Sequence, residues 1–520
     1  MAASASGLVQ RAKALFTDRQ PYEAYWDTAY RFMLPERAVF FNKDRNRQDP
    51  DSIADEVFDS TAEESAERLA NLILARLTPP WQTWFRLVPG DDVLDEDERE
   101  AMRAPLQLAA QRMHRALANG NFYQEFQPVL LDRIIGGTGA LVGEPGDQDT
   151  PIRFRCAPLS ETALAEDGQG RVVVIIQCQR YTLRELTRAY PDRVPTLLRD
   201  QFANAEDKRE HMVYHLESRE VDGTYSGASV LENGPTLLAE YTSPVPRRFA
   251  TRWTKIPGAP YGRGPGLRAL SDVRALNKLK EMSLKQALLA VAAPYTVMDD
   301  GVLNPHTVLI EPGELIPVAS NDLNNPTIRA LDQGADFNVS MFNIEELRNS
   351  VKSIFMMDQF GDLNRTPLSA TEVMERTRII AQDLGASIAR LQHELLTPVL
   401  KATFHQLTVA GLLPEGLSLD DSALKVEFTS YLAQSQWRSD EEAMLEWAQM
   451  GASFGQIDPE AGMVPDLVQL MRDLADLKGI PAKQVRSREQ VQQLMQQGVE
   501  GTAAIAEATG EVPGGAGGLG

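Results

Sequence analysis

PYGRGPGLRALSDVRALNKLKEMSLKQALLA, residues 260–290, decides how this chain is read. Residues 267–293 contain no Pro or Gly, so the stretch predicts one helix of 27 residues, about 40 Å long. Leu267, Leu270, Val273, Leu276, Leu279 and Met282 recur every three residues, so their apolar stripe winds around the helix. Residues 287–293 are apolar almost all round, a pattern that predicts packing on more than one side. The glycines of Tyr261-Gly262-Arg263-Gly264-Pro265-Gly266 read as a tight turn that launches the helix, with a phosphate cradle as the alternative. Lys278, Lys280 and Lys285 could touch nucleic acid. The plainer reading is an exposed face paired with acids, as in Lys278 and Glu281 three residues apart.

On the C-terminal side, residues 294–336 are rich in Pro, Asn and Gly and read as a small β-containing excursion. Residues 338–357 are helical again. DQFGDLNRTP (358–367) is a loop. Ser369 and Glu372 make a capping box, followed by Val373, Thr377, Ile380, Leu384, Ile388, Leu391 and Leu395 at near-heptad spacing. That helix is expected to bend near Pro398, reach about Ala410 and end at Gly411. Residues 439–497 are helical with Gly/Pro punctuation, and GEVPGGAGGLG (510–520) is low in complexity.

On the N-terminal side, the first 40 residues read as a helix carrying Tyr22, Tyr25, Trp26, Tyr30 and Phe32, and 42–51 as a loop. Ser60 and Glu63 form a capping-box pattern ahead of Ala62, Ala66, Leu69, Ile73 and Leu77 at helical spacing. Thr78-Pro79-Pro80 stops that helix. Trp81, Trp84, Phe85 and Leu87 then read as a short buried strand or turn. The acid-rich DDVLDEDERE (91–100) suits the first turns of an exposed helix running to about Ala118. From 152 to 241 the texture is β: 152–156, 171–178, 211–217 and 229–241 read as strands around Asp222-Gly223 and Asn233-Gly234, interrupted by a helix at 183–189. The chain is therefore mainly α with an α+β region.

Composition bounds function. The 520 residues hold 52 Lys+Arg against 73 Asp+Glu, a net charge of −21, so a sequence-reading DNA binder with clustered cations is a poor fit. A protein that lets DNA pass without gripping it is not excluded. Two cysteines, Cys156 and Cys178, and six histidines exclude a disulfide framework and make a metal site unexpected. No apolar run is long enough to span a membrane, and the N-terminus is too interrupted for a secretory signal. No GxxxxGK[ST] or HExxH is present; His393-Glu394 lacks the second His. Gly137-Thr138-Gly139 with Gly143 misses the spacing of a dinucleotide fingerprint. Gly451-Ala452-Ser453-Phe454-Gly455 has the letters of a nucleophile elbow, but a polar helix precedes it where a strand is required.

LTPPWQTWFRL (77–87), the PYGRGPG turn with its long helix, and LSATEVMERTR (368–378), in this order and spacing, resemble portal proteins of the kind that form the head-to-tail connector of T7-like short-tailed phages. The resemblance covers about Arg11 to Gln497. It implies the phage portal fold: a ring, usually of twelve subunits, at one capsid vertex of the virion, assembled in the host cytoplasm. Double-stranded DNA enters through it, driven by a separate terminase, and later leaves. On this chain the resemblance lays a wing over 1–259, a first stem helix over 260–293, a clip over 294–337 and a second stem helix over 338–357. A tunnel loop follows over 358–368, a long helix and wing return over 369–429, a helical crown over 430–509, and the Gly-rich tail over 510–520. The DNA-facing residues it implies are Asp358, Gln359, Gly361, Asn364 and Arg365 of the tunnel loop and Lys278, Lys280 and Lys285 of the stem. The implied partners are further copies of the chain, terminase, major capsid and scaffold proteins, a tail adaptor and DNA without sequence specificity. No cofactor, catalysis, metal or membrane is implied.

Two other readings compete. One is a different virion ring component, such as a tail adaptor, though those are commonly much shorter. The other is an acidic cytosolic α+β enzyme, which needs a convergent nucleophile, base and oxyanion donors that the two decoy motifs do not supply.

Overall fold

The computed structural model describes residues 4–38, 56–89, 96–196, 210–291, 337–357, 383–414, 424–429 and 443–451, with short runs elsewhere. The expectations for 42–51, for Ser369–Glu372 and Val373–Ile380, for most of 430–509 and for 510–520 lie outside these residues.

Helix α1 (Ala5–Met33) starts on Ser4, whose hydroxyl accepts from the Gly7 amide at 3.2 Å. A short α2 (Pro35–Ala38) follows. In α3 (Thr61–Leu77) the five residues named from the periodicity are all buried. Its cap differs from expectation. The Ser60 side chain makes no capping bond; the Asp59 carboxylate takes the Thr61 amide at 3.0 Å instead. After Thr78, β1 (Phe85–Pro89) carries buried Phe85 and Leu87 beside buried Trp84. Trp81, read as buried, is 74% exposed, because the chain turns outward at Pro79-Pro80 before the strand begins. Helices α4 (Glu96–Asn119) and α5 (Phe122–Ile135) complete the helical layer.

Strand β2 (Thr138–Pro145) is central in a three-stranded antiparallel sheet between β3 (Ile152–Ala157) and, from later in the chain, β9 (Arg248–Arg252). The sequence reading found neither β2 nor β9. A second sheet is an antiparallel meander of β4 (Thr162–Glu166), β5 (Val172–Thr182), β6 (Glu210–Arg219), β7 (Tyr225–Leu231) and β8 (Thr236–Ser243), with α6 (Leu183–Ala189) between β5 and β6. Alternation sorts its faces. Val174, Ile176, Tyr214 and Leu216 meet Val9 and Ala12 of α1, while Val213, Leu231 and Leu238 meet Leu186 of α6.

Helix α7 (Pro265–Val291) is the long helix predicted from 267–293. Between it and α8 (Phe337–Ile354), the excursion contains the paired short strands β10 (Tyr295–Val297) with β13 (Ile328–Ala330), and β11 (Asn321–Asp322) with β12 (Asn325–Pro326). Residues 383–391 are helical and run through a π-turn (Gln392–Leu396) into α9 (Thr397–Val409). The expected irregularity near Pro398 is this π-turn: Pro398 has no amide for the Glu394 carbonyl, and the Thr397 amide bonds back five residues to Gln392. Gly411 ends the helix at φ +68°. Finally β14 (Leu424–Phe428) pairs antiparallel with β1, and Arg86 meets Glu427 at 2.6 Å.

The stretch 261–264 leads directly into α7 at Pro265, as expected of a launching turn, but its glycines are there for another reason than backbone freedom. None of Gly262, Gly264 and Gly266 has a positive φ. They are small because backbone meets backbone. A Cβ on Gly264 would fall on the Ile134 carbonyl, one on Gly262 on the Gly137 carbonyl, and one on Gly266 within 2.7 Å of the Ile135 Cα. The Gly262 amide also donates to the Thr138 hydroxyl at 2.9 Å. The turn is thus pressed onto the end of α5 and the start of β2. Gly264→Ala is expected to destabilise the protein by about 2–4 kcal/mol through forced backbone displacement. Gly168→Ala, where a Cβ meets nothing within 4 Å, should stay within about 0.5 kcal/mol of the parent. Thermal unfolding of the two variants side by side checks this.

Candidate nucleic-acid interface

The root of α7 lies in the main core: Ala269, Leu270, Val273 and Leu276 are buried together with residues of α1, α3 and α5. Polar ties hold it at two points and hold α8 at a third. Asn277 accepts the Phe58 amide at 2.7 Å and donates to the Glu56 carbonyl at 2.9 Å. Asp272 accepts the Ser350 hydroxyl of α8 at 2.7 Å. Arg348 of α8 donates two bonds to the Asp59 carboxylate, at 3.0 and 2.7 Å, on the same carboxylate that caps α3. These ties set α7 and α8 side by side and antiparallel.

Beyond Leu276 the cover thins. Met282, Leu284 and Leu288 are 53%, 48% and 68% exposed, as are Met341 and Phe342 of α8 at 53% and 71%. Of residues 287–293, expected to pack on several sides, Ala287 is half-buried and Leu288 exposed, and the rest of that expectation lies outside the described side chains. Along the described part of the hairpin, a buried root thus gives way to exposed apolar side chains.

The structure separates the three lysines. At about 100° per residue, Lys278 and Lys285 lie within about 20° of one direction, whereas Lys280 lies about 160° away from Lys278. Arg274, which the sequence reading missed, stands on the same face as Lys278 and Lys285, and its spacing of four and eleven residues from them was the available signal. Glu281 sits between the two lysines, 2.9 Å from the Lys278 ammonium and 2.5 Å from that of Lys285. Bonds from Lys285 and Lys278 hold its carboxyl below the ordinary value. Alongside runs an open groove of about 710 Å³ lined by Phe32, Phe58, Ala275, Arg274, Lys278 and Glu281, among others. Asp358, Gln359, Gly361, Asn364 and Arg365 lie outside the described residues.

The decoy motifs resolve as structure. Gly137-Thr138-Gly139 opens strand β2, whereas a dinucleotide fingerprint opens a helix. Ser453 continues a helix and donates to the Met450 carbonyl at 2.9 Å, with no strand leading into it. Among the described residues no group of three His, Cys, Asp or Glu is placed to hold a metal ion. The described helices include none long and apolar enough to cross a membrane. Glu394 has a structural role: it takes the Arg252 amide at 2.8 Å and the Arg252 guanidinium at 3.1 and 2.6 Å.

The chain belongs to the bacteriophage head to tail connecting protein family, whose model matches residues 5–485. It is 27% identical over 446 residues to the probable portal protein of Bordetella phage BPP-1, covering 82% of this chain and 79% of that one. It is 24% identical over 510 residues to the portal protein of Salmonella phage epsilon15, covering 93% and 89%. A chain from the neck of an empty gene transfer agent particle matches at 12% identity, TM-score 0.39, over 81% of this chain and 95% of that one, a likeness too slight to build on. The function is that of a head-to-tail connector of a phage virion.

Asp59 gives a pH test of the hairpin root. Burial pushes its carboxyl up, but bonds from Thr61 and Arg348 outweigh burial and hold it below the ordinary value. Its contribution is complete above the unfolded value of about 3.9 and is lost as pH falls through the folded value. Asp59→Asn should cost about 1–3 kcal/mol at pH 7. The gap in melting temperature to the parent should shrink steadily below about pH 4.

Proposed function

We propose that the chain is a portal subunit that closes with its own copies, usually twelve, into a ring around a hole through which double-stranded DNA passes. In this reading the α7–α8 hairpin is the stem, 294–337 the clip that terminase and later the tail adaptor contact, and 358–368 the tunnel loop. Residues 1–259 and 369–429 form the wing, 430–509 the crown, and capsid and scaffold proteins surround the ring. The subunit has no catalysis of its own; DNA is moved by the terminase.

The observation that carries this reading is the hairpin. A long two-helix arm rooted by Asp59, Asp272 and Asn277, with Met282, Leu284, Leu288, Met341 and Phe342 exposed, is unfavourable in an isolated molecule and natural in a cyclic assembly. The family match over residues 5–485 and relatives with the printed name "portal protein" support it. A tail adaptor or an acidic enzyme has no comparable support.

Around twelve subunits the charge comes to roughly −250, so DNA meets repulsion over much of the surface and only weak, salt-dependent attraction at scattered cations. Arg365 of the loop and Lys285 near the free end of the hairpin are the cations proposed to meet phosphate. Lys280, on the far side of α7 from Lys285, is left out. Arg365→Glu combined with Lys285→Glu should lower packaged or retained DNA several-fold in a packaging assay, with ring formation unchanged. Unaltered DNA content in both would contradict the channel assignment.

A further inference from the structure

The meander and the three-stranded sheet meet through two rows of residues set by strand register. On the three-stranded sheet, Arg155 of β3 and Arg248 of β9 both pair with Val142 of β2, so the two arginines flank one valine on one face. On the meander, Gln177 of β5 and Ser229 of β7 both pair with His215 of β6, so the imidazole lies in the middle of the second row. Side-chain bonds cross between the sheets. The Arg155 guanidinium donates to the side-chain carbonyls of Gln177 and Gln179 at 3.0 and 3.1 Å. That of Arg248 donates to the Tyr241 hydroxyl of β8 at 2.9 Å. In return the Glu217 carboxylate of β6 takes the backbone amides of Arg247 and Arg248 at 2.9 and 3.0 Å, together with the Tyr241 hydroxyl.

His215 is 3% exposed. Its Nδ1 is 2.8 Å from the Ser229 hydroxyl and its Nε2 3.4 Å from that of Tyr181. A hydroxyl both donates and accepts, so these bonds suit the neutral and the charged ring alike. The surrounding charges decide between them. The facing sheet brings two cations, Arg155 and Arg248. Tyr181 of β5, Tyr190 at the end of α6 and Tyr241 of β8 are phenols that burial keeps neutral. Glu217, two residues along β6, is committed to the β9 amides and Tyr241. Glu144 of β2 is exposed and stands opposite Arg153, and His211 of β6 stands opposite Tyr181. Among the described residues no carboxylate bonds the imidazole. Burial, then Arg248 and Arg155, push its pKa well below the ordinary value of about 6.5.

We infer that the seam between the two sheets is an acid-sensitive joint: a proton taken up by His215 sets a third cation between Arg155 and Arg248 and opens the seam, while the meander stays on α1 through Val9 and Ala12. The joint goes beyond the ring reading and does not depend on the number of copies. The folded value lies below the unfolded one, so the seam is at full strength above about pH 6.5 and weakens as pH falls from there through the folded value. One proton raises the opening equilibrium by up to about tenfold per pH unit in that window.

Hydrogen exchange of the full-length protein, followed by mass spectrometry and corrected for the intrinsic pH dependence of amide exchange, reads the joint directly. The Arg247 and Arg248 amides are the probes, because they bond across it to Glu217. From about pH 7.5 to about pH 5 their protection should fall roughly tenfold or more. In His215→Asn, whose amide can still bond Ser229 but takes no proton, the fall should shrink to less than about twofold. Arg155→Met, which removes one flanking charge, should make the fall at least about threefold smaller than in the parent. His114 and His405, which burial also pushes down, are common to parent and variants and cancel in the comparison. Unchanged protection of the two amides in the parent at about pH 5, or an equal fall in His215→Asn, overturns the inference and leaves the ring reading intact. Should His215→Asn not fold, an equal fall in Arg155→Met overturns it.

Discussion

The arrangement of the whole chain depends on one close contact, the backbone of 262–266 laid against the backbone of 133–137. Any side chain in that gap would force the strands and α7 apart, which is why the sequence spends three glycines on a turn that needs no left-handed residue. The contact fixes where α7 leaves the body and in which direction. Arg133, at its centre and fully buried, extends the effect. Its guanidinium donates to the carbonyls of Arg252 and Ser387 and to the Ser387 hydroxyl, and it stacks 4.8 Å from the Trp253 ring. Burial pushes its pKa down to about 9, which leaves it charged at neutral pH. A buried cation persists only where acceptors surround it. The requirement therefore ties α5, β9 and the helix at 383–391 to the place where α7 begins.

A second network reinforces that junction. Arg252 is 2% exposed and bridges Glu166 of β4 and Glu394 of the π-turn, while Lys255 adds a 3.5 Å contact to Glu166. On the N-terminal side, buried Arg19 of α1 donates to the carbonyls of Leu159, Ser160 and Thr162, each at 2.9 Å. Charged side chains thus reinforce the apolar contact of Val9 and Ala12 in joining the meander to the helical layer. Breaking one partner of such a set leaves the others buried without compensation, so these joints resist small displacement.

The sequence made the helices legible because their signals are local. The periodicity of Ala62 to Leu77 gave both the existence and the buried face of α3, and the interval 183–189 coincided with α6. The strands at 152–156, 171–178 and 211–217 were equally visible. Two kinds of strand were missed: β2, which reads as a glycine-broken run although its hairpin partner β3 follows directly, and β14, which exists through pairing with β1, more than 300 residues earlier. The Asp59 cap was hidden for the same reason, since its choice over Ser60 is made by Arg348, 289 residues away. The lysines of α7 were visible as charges, but their division between faces required counting the helical turn, and Arg274 was overlooked beside them.

In a chain of net charge −21, α7 carries five Lys and Arg against two acids, so cations are concentrated on the helix whose buried root gives way to exposed side chains. That placement, with uncovered apolar side chains at the same end, makes association with other copies the central claim. Mass measurement under native conditions, with rotational averaging of negatively stained particles, tests it most directly. A closed ring of twelve 57.6 kDa chains gives particles of about 690 kDa with a central hole. Particles of a single 57.6 kDa chain across the concentration range, or larger particles with no opening on their axis, would contradict it.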